Sequence, residues 1–283
     1  MLRSVIAVAM LIIGSAVMAQ SVDDAELTLL DTADDARHWQ AVGRLDLDGV
    51  GFCTGALISP THVLTAAHCL YSKQNGKVID AEKITFYAGL RNGRASAIRK
   101  ARRVLAHTGY DVNNDDRMAR VEFDIAVVEL EQPIRDSVII PFERYHSPRT
   151  GDEVMVVSYA AGRESAPSLQ RSCHVLAGRG NVLVYSCDVN FGASGSPIFV
   201  MSDARPKIAS VISAMAQWKD QDVALGAALG GPLDVLLNQL NTTDPVFRSV
   251  TMEDQKDQPS VSQQLGRVEP LKIKRSGLPQ IGD

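Results

Sequence analysis

His68, Asp124 and Ser194 are the residues of this chain whose types and settings could together make a nucleophile. A serine hydroxyl is weak at neutral pH. It becomes competent when a histidine takes its proton and a buried carboxylate fixes that histidine in the right tautomer. His68 stands in Thr65-Ala66-Ala67-His68-Cys69, where small neighbours would hold an imidazole at a strand end. Asp124 follows Phe123 and opens the run Ile125-Ala126-Val127-Val128. A carboxylate there would be drawn out of water and must find a donor. Ser194 lies in Gly192-Ala193-Ser194-Gly195-Ser196-Pro197, where flanking glycines permit positive φ and close approach of a substrate carbonyl. The remaining histidines, His38, His62, His107, His146 and His174, read as structural, and Asp111, Asp115 and Asp116 as solvated loop acids.

The chain order His, Asp, Ser separates this set from subtilisin-type enzymes and from hydrolases with a Gly-x-Ser-x-Gly elbow. Three such motifs in this order resemble the chymotrypsin-like (trypsin-like) serine proteases. The Gly-x-Ser-Gly-Ser-Pro ending looks closer to bacterial secreted members, including the glutamyl-endopeptidase branch. The resemblance implies peptide-bond hydrolysis through an acyl-enzyme on polypeptide substrates, with no cofactor and no metal. It implies an oxyanion hole made by the N–H groups of Gly192 and Ser194. It also places Asp188 at the base of a primary pocket, as in trypsins that cut after Arg or Lys, and Ser213 and Met215 along the pocket wall. A turn role for Asp188 beside Cys187 stays open. Two departures matter. Ala193 stands where most animal members carry an aspartate that pairs with a new N-terminal amine, and the usual Ile-Val-Gly-Gly start is missing. The oxyanion loop is therefore expected to support itself, and a chain starting at His38 is expected to behave much like one starting at Gln20. Two other readings remain: a non-catalytic homologue acting as a binding protein, and an esterase with the same three residues.

Export is the next expectation. Residues 1–19 carry one early positive charge, an apolar core and small residues before a polar stretch, which reads as a secretory signal cleaved after Ala19. That places the mature protein outside the cytoplasm, secreted or periplasmic. After signal removal no stable membrane insertion is expected, since spanning needs roughly 20 apolar residues. A formal net charge of −4 gives no reason to expect a nucleic-acid partner. The cysteines Cys53, Cys69, Cys173 and Cys187 form an even set in an exported chain, which favours disulfides over metal ligation. Of the three possible pairings, the local one, Cys53 with Cys69 and Cys173 with Cys187, is expected. Oligomeric state leaves no signature.

These residues need a frame. Short apolar runs at 41–45, 52–58, 63–65, 84–87, 98–106 and 125–130 alternate with polar turns, and a second set follows at 154–159, 170–176, 182–185, 198–201, 208–214 and 224–229. Such lengths and spacings predict an all-β chain; with the resemblance they imply two packed six-stranded antiparallel barrels, joined near 131–150 by a proline-punctuated link. Leu233, Leu236, Leu237 and Leu240 fall at helical spacing after Pro232, predicting a closing helix. The protease domain is expected over 38–243. The acidic stretch 20–37 reads as a lead-in or propeptide rather than a folded element, 109–122 as a loop, and 244–283 as a flexible polar tail.

Overall fold

The computed structural model describes residues 24–243. The expected signal peptide at 1–19 and the expected tail at 244–283 lie outside the described residues, as do residues 20–23. The chain divides into two compact units, one through Asn238 and one from Gln239. Every described strand belongs to the first unit.

Strand β1 (Leu27–Leu29) opens the described chain, followed by a 3-10 turn at Arg37–Trp39. Strands β2 (Val42–Leu47), β3 (Phe52–Ser59), β4 (His62–Thr65), β5 (Ile84–Ala88), β6 (Ala97–Ala106) and β7 (Ala126–Leu130) then close into a barrel of order β2-β3-β4-β7-β6-β5. A period of two shows in the burial of β5, where the alternate residues Ile84, Phe86 and Ala88 are fully buried. Asp116 accepts from the N–H groups of Met118 (2.9 Å) and Ala119 (3.3 Å), and this cap starts a helix, α1 (Arg117–Glu122), inside the segment expected to be a loop.

The second set is β8 (Glu153–Ala160), β9 (Arg163–Arg179), β10 (Val182–Tyr185), β11 (Pro197–Ser202), β12 (Arg205–Trp218) and β13 (Gln221–Ala228), in the order β9-β10-β13-β12-β11-β8. Because β8 also pairs with β9, this sheet returns on itself, and β1 adds to the outer edge of β9. Val154, Val156, Val175, Leu183, Tyr185, Ile198 and Ile212 fill its interior. The protein is thus all-β, with helix α2 (Gly230–Thr243) after the last strand and Leu233 and Leu236 buried at its start.

Two covalent clips act inside this frame. Cys53–Cys69 ties β3 to the turn after β4, and Cys173–Cys187 ties β9 to the segment after β10. For loops of sequence separation 16 and 14, chain-entropy reasoning gives on the order of 3 kcal/mol each. Trp39, Phe142 and Phe199 form a tilted aromatic cluster, with centroids 4.7–6.3 Å apart, that joins the link segment to β11.

The acidic stretch corrects the expectation drawn from its composition. Ala25 N–H donates to Ser172 (2.8 Å), Leu30 N–H donates to Pro167 (2.9 Å), and Leu27, Thr28 and Leu29 pair in register with Gln170, Leu169 and Ser168. Leu30 is fully buried. Glu26, Asp31, Asp34 and Asp35 face outward while Leu27, Leu30 and a row of backbone groups do the docking, a pattern that a count of charges hides. A chain starting at His38 would therefore lose a sheet strand, not a loose leader.

Candidate active site

His68 lies on the 3-10 turn Ala67–Leu70 that caps β4, between the barrel wall and the Cys53–Cys69 bridge. Asp124 sits just before β7, the strand paired with β4, so sheet pairing itself carries the two together from 56 residues apart. The carboxylate grips the histidine twice: Oδ1 accepts from the His68 backbone N–H (2.8 Å) and Oδ2 accepts from Nδ1 (2.7 Å). Its side chain keeps 3% of its exposure against 28% for the imidazole. One partner is buried and fixed, and the other is part-exposed, its Nε2 3.9 Å from Cys69 Sγ. Burial works against protonation of His68, but the charge and hydrogen bond of Asp124 outweigh it and hold the pKa above its ordinary value, with Lys73 opposing slightly. Cys53, Cys69 and His68 converge within 4.8 Å, yet the two sulfurs are bonded to each other and offer no thiolate to a metal.

Ser194 arrives from the second barrel on the turn between β10 and β11. Its carbonyl accepts from the Thr54 N–H of β3 (2.9 Å), and Gly195 N–H donates to Ile212 of β12 (2.7 Å). Gly195 has φ +77, and a Cβ there would overlap Thr65 Oγ1 and the Thr54 carbonyl. That close approach seats Ser194 against the segment that bears His68. Among the described residues the Ser194 hydroxyl makes no hydrogen bond; in free enzymes such contacts are often loose and tighten on substrate binding.

The candidate oxyanion donors are oriented by their neighbouring carbonyls. The Phe191 carbonyl accepts from Ala161 N–H (2.7 Å), so across the planar trans peptide the Gly192 N–H points the other way. The Ala193 carbonyl accepts from Ser196 N–H (3.0 Å), which turns the Ser194 N–H outward in the same manner. Neither N–H has a protein acceptor among the described residues. Thr54 holds the far side of the loop: its buried hydroxyl donates to the Gly192 carbonyl (3.1 Å) and accepts from Tyr159 N–H (3.0 Å).

The expected pocket residues have these settings. Ser213 donates its hydroxyl to Asp124 Oδ2, so its side chain supports the carboxylate. Asp188 is exposed and does not sit on a buried floor; its N–H donates to Gln170 Oε1 (2.8 Å). Arg163, at the start of β9, lies close enough to Asp188 to feel its charge, and its Nη1 donates to the carbonyl and hydroxyl of Ser158 (3.1 Å each). Burial pulls the Arg163 pKa down, with Asp188 partly restoring it. Met215 is exposed on β12, and its carbonyl accepts from Arg117 of α1. A recess of about 770 Å³, floored by Trp39, Phe142 and Met155, contains none of these groups; the site is defined by hydrogen-bond geometry, not by the best-formed cavity.

A model of the trypsin-like peptidase domain matches residues 53–205, a span holding His68, Asp124 and Ser194. The chain belongs to that family. Among its relatives, the glutamyl endopeptidase of Bacillus licheniformis is 29% identical over 157 residues, 55% of this chain and 48% of the relative. Trypsin Blo t 3 of Blomia tropicalis is 27% identical over 158 residues, 52% of this chain and 53% of the relative. Glucanase inhibitor protein 1 of Phytophthora sojae is 37% identical over 97 residues, 34% of each chain. The chain thus spans about half the length of the first two relatives. A solved Glu endopeptidase in complex with MPD superposes with TM-score 0.63 over 77% of this chain and 97% of that one, at 19% identity. That likeness speaks for the two-barrel fold of trypsin-like peptidases.

Within this family the residues that sequence reasoning passed over are Thr54, Arg163 and Gln170. Thr54 and Gln170 are polar residues in otherwise strand-like runs, and Arg163 follows a glycine turn. The polar type inside an apolar run is a local sign that Thr54 and Gln170 need partners, though it does not say which.

Proposed function

We propose that the protein is a serine endopeptidase acting outside the cytoplasm. Ser194 is the nucleophile, His68 the general base and then acid, and Asp124 the group that fixes the His68 tautomer and stabilises its cation. The observation that carries this reading is the double grip of Asp124 on His68 beside a serine turn whose two free N–H groups are already turned outward. His68 would take the Ser194 proton as Oγ attacks the scissile carbonyl, and the Gly192 and Ser194 N–H groups would receive the oxyanion. The proton then passes from His68 to the leaving amine, and water repeats the sequence on the acyl-enzyme. Ala193 is consistent with a loop that needs no new N-terminal amine, since its carbonyl and N–H (to Asn190, 2.9 Å) are both engaged within the turn. The two disulfides support an oxidising compartment.

Fluorophosphonate labelling tests the reading: wild type should be labelled at Ser194 and Ser194→Ala should not. Absence of labelling in folded wild type favours the second reading, a binding homologue, for which the name of the Phytophthora relative is the supporting observation. Turnover of ester but not peptide substrates would mark an esterase.

The pH profile offers an independent check. His68 must be neutral to act as a base, so kcat/KM should rise with pH through a midpoint above the ordinary 6.5. In Asp124→Asn burial acts unopposed, and the midpoint should fall while the plateau drops steeply. A wild-type midpoint below 6.5 would remove His68 from the role. The sign for stability runs opposite to activity: a raised folded pKa adds stability below the unfolded value and loses it as pH climbs through the folded one.

Primary specificity rests on a charge pair. If Asp188 faces the side chain preceding the scissile bond it favours Arg or Lys, but Arg163 compensates part of its charge. The expected preference for basic residues is therefore below roughly tenfold. Arg163→Gln should sharpen it, and Asp188→Asn should leave the cation free and add cleavage after Asp or Glu. Peptide-library profiles of the three proteins decide; identical profiles would take both residues out of the pocket.

A further inference from the structure

The Asp188–Gly192 loop and the N-terminal strand β1 share one side chain. Gln170 lies on β9 with 4% of its surface exposed. Its Oε1 accepts from the Asp188 N–H at 2.8 Å, and its Nε2 donates to the Ala25 carbonyl at 2.9 Å. Both partners are backbone groups of fixed polarity, so the orientation of the amide is set: the oxygen must face Asp188 and the nitrogen must face Ala25. No flipped amide satisfies either group.

We propose that Gln170 is a positioning residue that couples docking of β1 to the conformation of the primary-pocket loop. The inference rests on the peptidase reading of the site. A planar amide holds its oxygen and nitrogen at a constant separation. The loop end at Asp188 is therefore held where it is only while Ala25 occupies its place on the edge of β9. If β1 lifts, Nε2 is left buried without an acceptor, the side chain turns to find one, and Asp188 N–H is released. From Asp188 the chain reaches Phe191, whose carbonyl orients the Gly192 N–H through Ala161, so slack at one end reaches a candidate oxyanion donor. The other nearby anchor, Cys173–Cys187, fixes the residue before Asp188 but not the direction of its N–H.

β1 has its own hold on β9, which makes it a separable element. Ala25 N–H donates to Ser172, Leu30 N–H donates to Pro167, and Asp24 pairs with His174 Nδ1 at 3.0 Å. Neither Asp24 nor Ala25 is a side-chain component of the catalytic set. The segment 24–30 is thus read as a resident part of the working enzyme and as its control point.

Ala25→Pro in the full chain removes the N–H that bonds Ser172, keeps the carbonyl at that position that accepts from Gln170 Nε2, and leaves Gln170 and the catalytic set unsubstituted. Amide exchange at Asp188 should accelerate by about tenfold or more, and kcat/KM should fall about tenfold, chiefly through KM. Gln170→Leu should reproduce both effects, and the double variant should be no worse than either single one. Gln170→Glu keeps an acceptor for Asp188 and loses the donor to Ala25. With the tie to Ala25 cut, adding Ala25→Pro to Gln170→Glu should accelerate the β1 amides without further effect on Asp188, a split that general loosening does not produce. If Gln170→Leu does not accumulate folded, Ala25→Pro and Gln170→Glu carry the test. Unchanged exchange at Asp188 in Ala25→Pro, with β1 amides accelerated, overturns the coupling; so does simple additivity in the double variant. Failure of wild type to react with a fluorophosphonate would overturn the peptidase reading instead, and leaves the exchange measurement to decide the coupling alone.

Discussion

Ser194→Ala and His68→Ala are each expected to lower kcat/KM by roughly 10⁴–10⁶, with the folded state intact. The size follows from what remains. Without the hydroxyl, attack falls to water; without the imidazole, the hydroxyl keeps its proton. Residual rate then comes from binding and the oxyanion donors alone, so the two losses describe one missing unit and the double variant should be barely slower than either single one. Stability should move little, because Ser194 Oγ makes no bond among the described residues and the Asp124 carboxylate keeps the Ser213 hydroxyl and the His68 backbone N–H when the imidazole is gone. Asp124→Asn is a different lesion: the amide cannot accept from Nδ1–H in the same way and favours the wrong tautomer, so a loss near 10⁴ is expected there. Steady-state kinetics on purified proteins, with circular dichroism as the fold control, measure all of this. A Ser194→Ala protein retaining more than about a hundredth of wild-type turnover would end the assignment.

How much of this was legible in the sequence depends on the range over which each signal acts. His68, Asp124 and Ser194 stand out because each sits in a local setting that only makes sense chemically: small residues before a histidine, an acid opening an apolar run, glycines around a serine. Strands such as β5 and β7 were readable from the length and spacing of their apolar runs, and the closing helix from its leucine spacing. Gln170 was not readable, because its meaning lies in a carbonyl 145 residues away. Thr54 is similar: its hydroxyl joins groups 105 and 138 residues distant, across the seam of the two barrels. For β1 the misleading feature was composition. Six acids in a short stretch read as solvated lead-in, while docking depends on Leu30 and on backbone pairing, which composition does not report. Asp188 shows a third limit. Its offset from Ser194 could be counted, but its exposure in the loop between β10 and β11, and the Arg163 cation brought near it from the start of β9, are properties of the fold. The helix α1 was hidden for a related reason, since an aspartate cap in a run of Asp and Asn looks like a loop until Met118 and Ala119 donate to it.

Gly195→Ala should be the most damaging single methyl in the molecule. Gly195 has φ +77, a conformation costing a residue with a Cβ about 1–2 kcal/mol by itself. The new carbon would also overlap Thr65 Oγ1 and the Thr54 carbonyl and lie 2.9 Å from the Ala66 backbone nitrogen. Two of those three neighbours are main chain of β3 and of the turn after β4, so no rotamer change makes room; the serine turn must back away from the first barrel. That breaks the Thr54 N–H bond to the Ser194 carbonyl and withdraws Ser194 from His68. A loss of about 3–5 kcal/mol in unfolding free energy is expected, with kcat falling at least 10²-fold even in the protein that remains folded. Gly76→Ala separates the two causes: its φ is +66 but nothing lies within 4 Å of the added carbon, so only the strain of about 1 kcal/mol should appear and activity should be unchanged. Thr65→Ala in the Gly195→Ala background removes one of the three obstacles and should recover only part of the loss, because the backbone atoms stay. Denaturant midpoints and turnover of these three proteins test the packing of the seam directly. Wild-type midpoint and turnover in Gly195→Ala would mean that Ser194 is not held against β3 and the His68 turn, and the geometry on which its role as nucleophile depends would have to be given up.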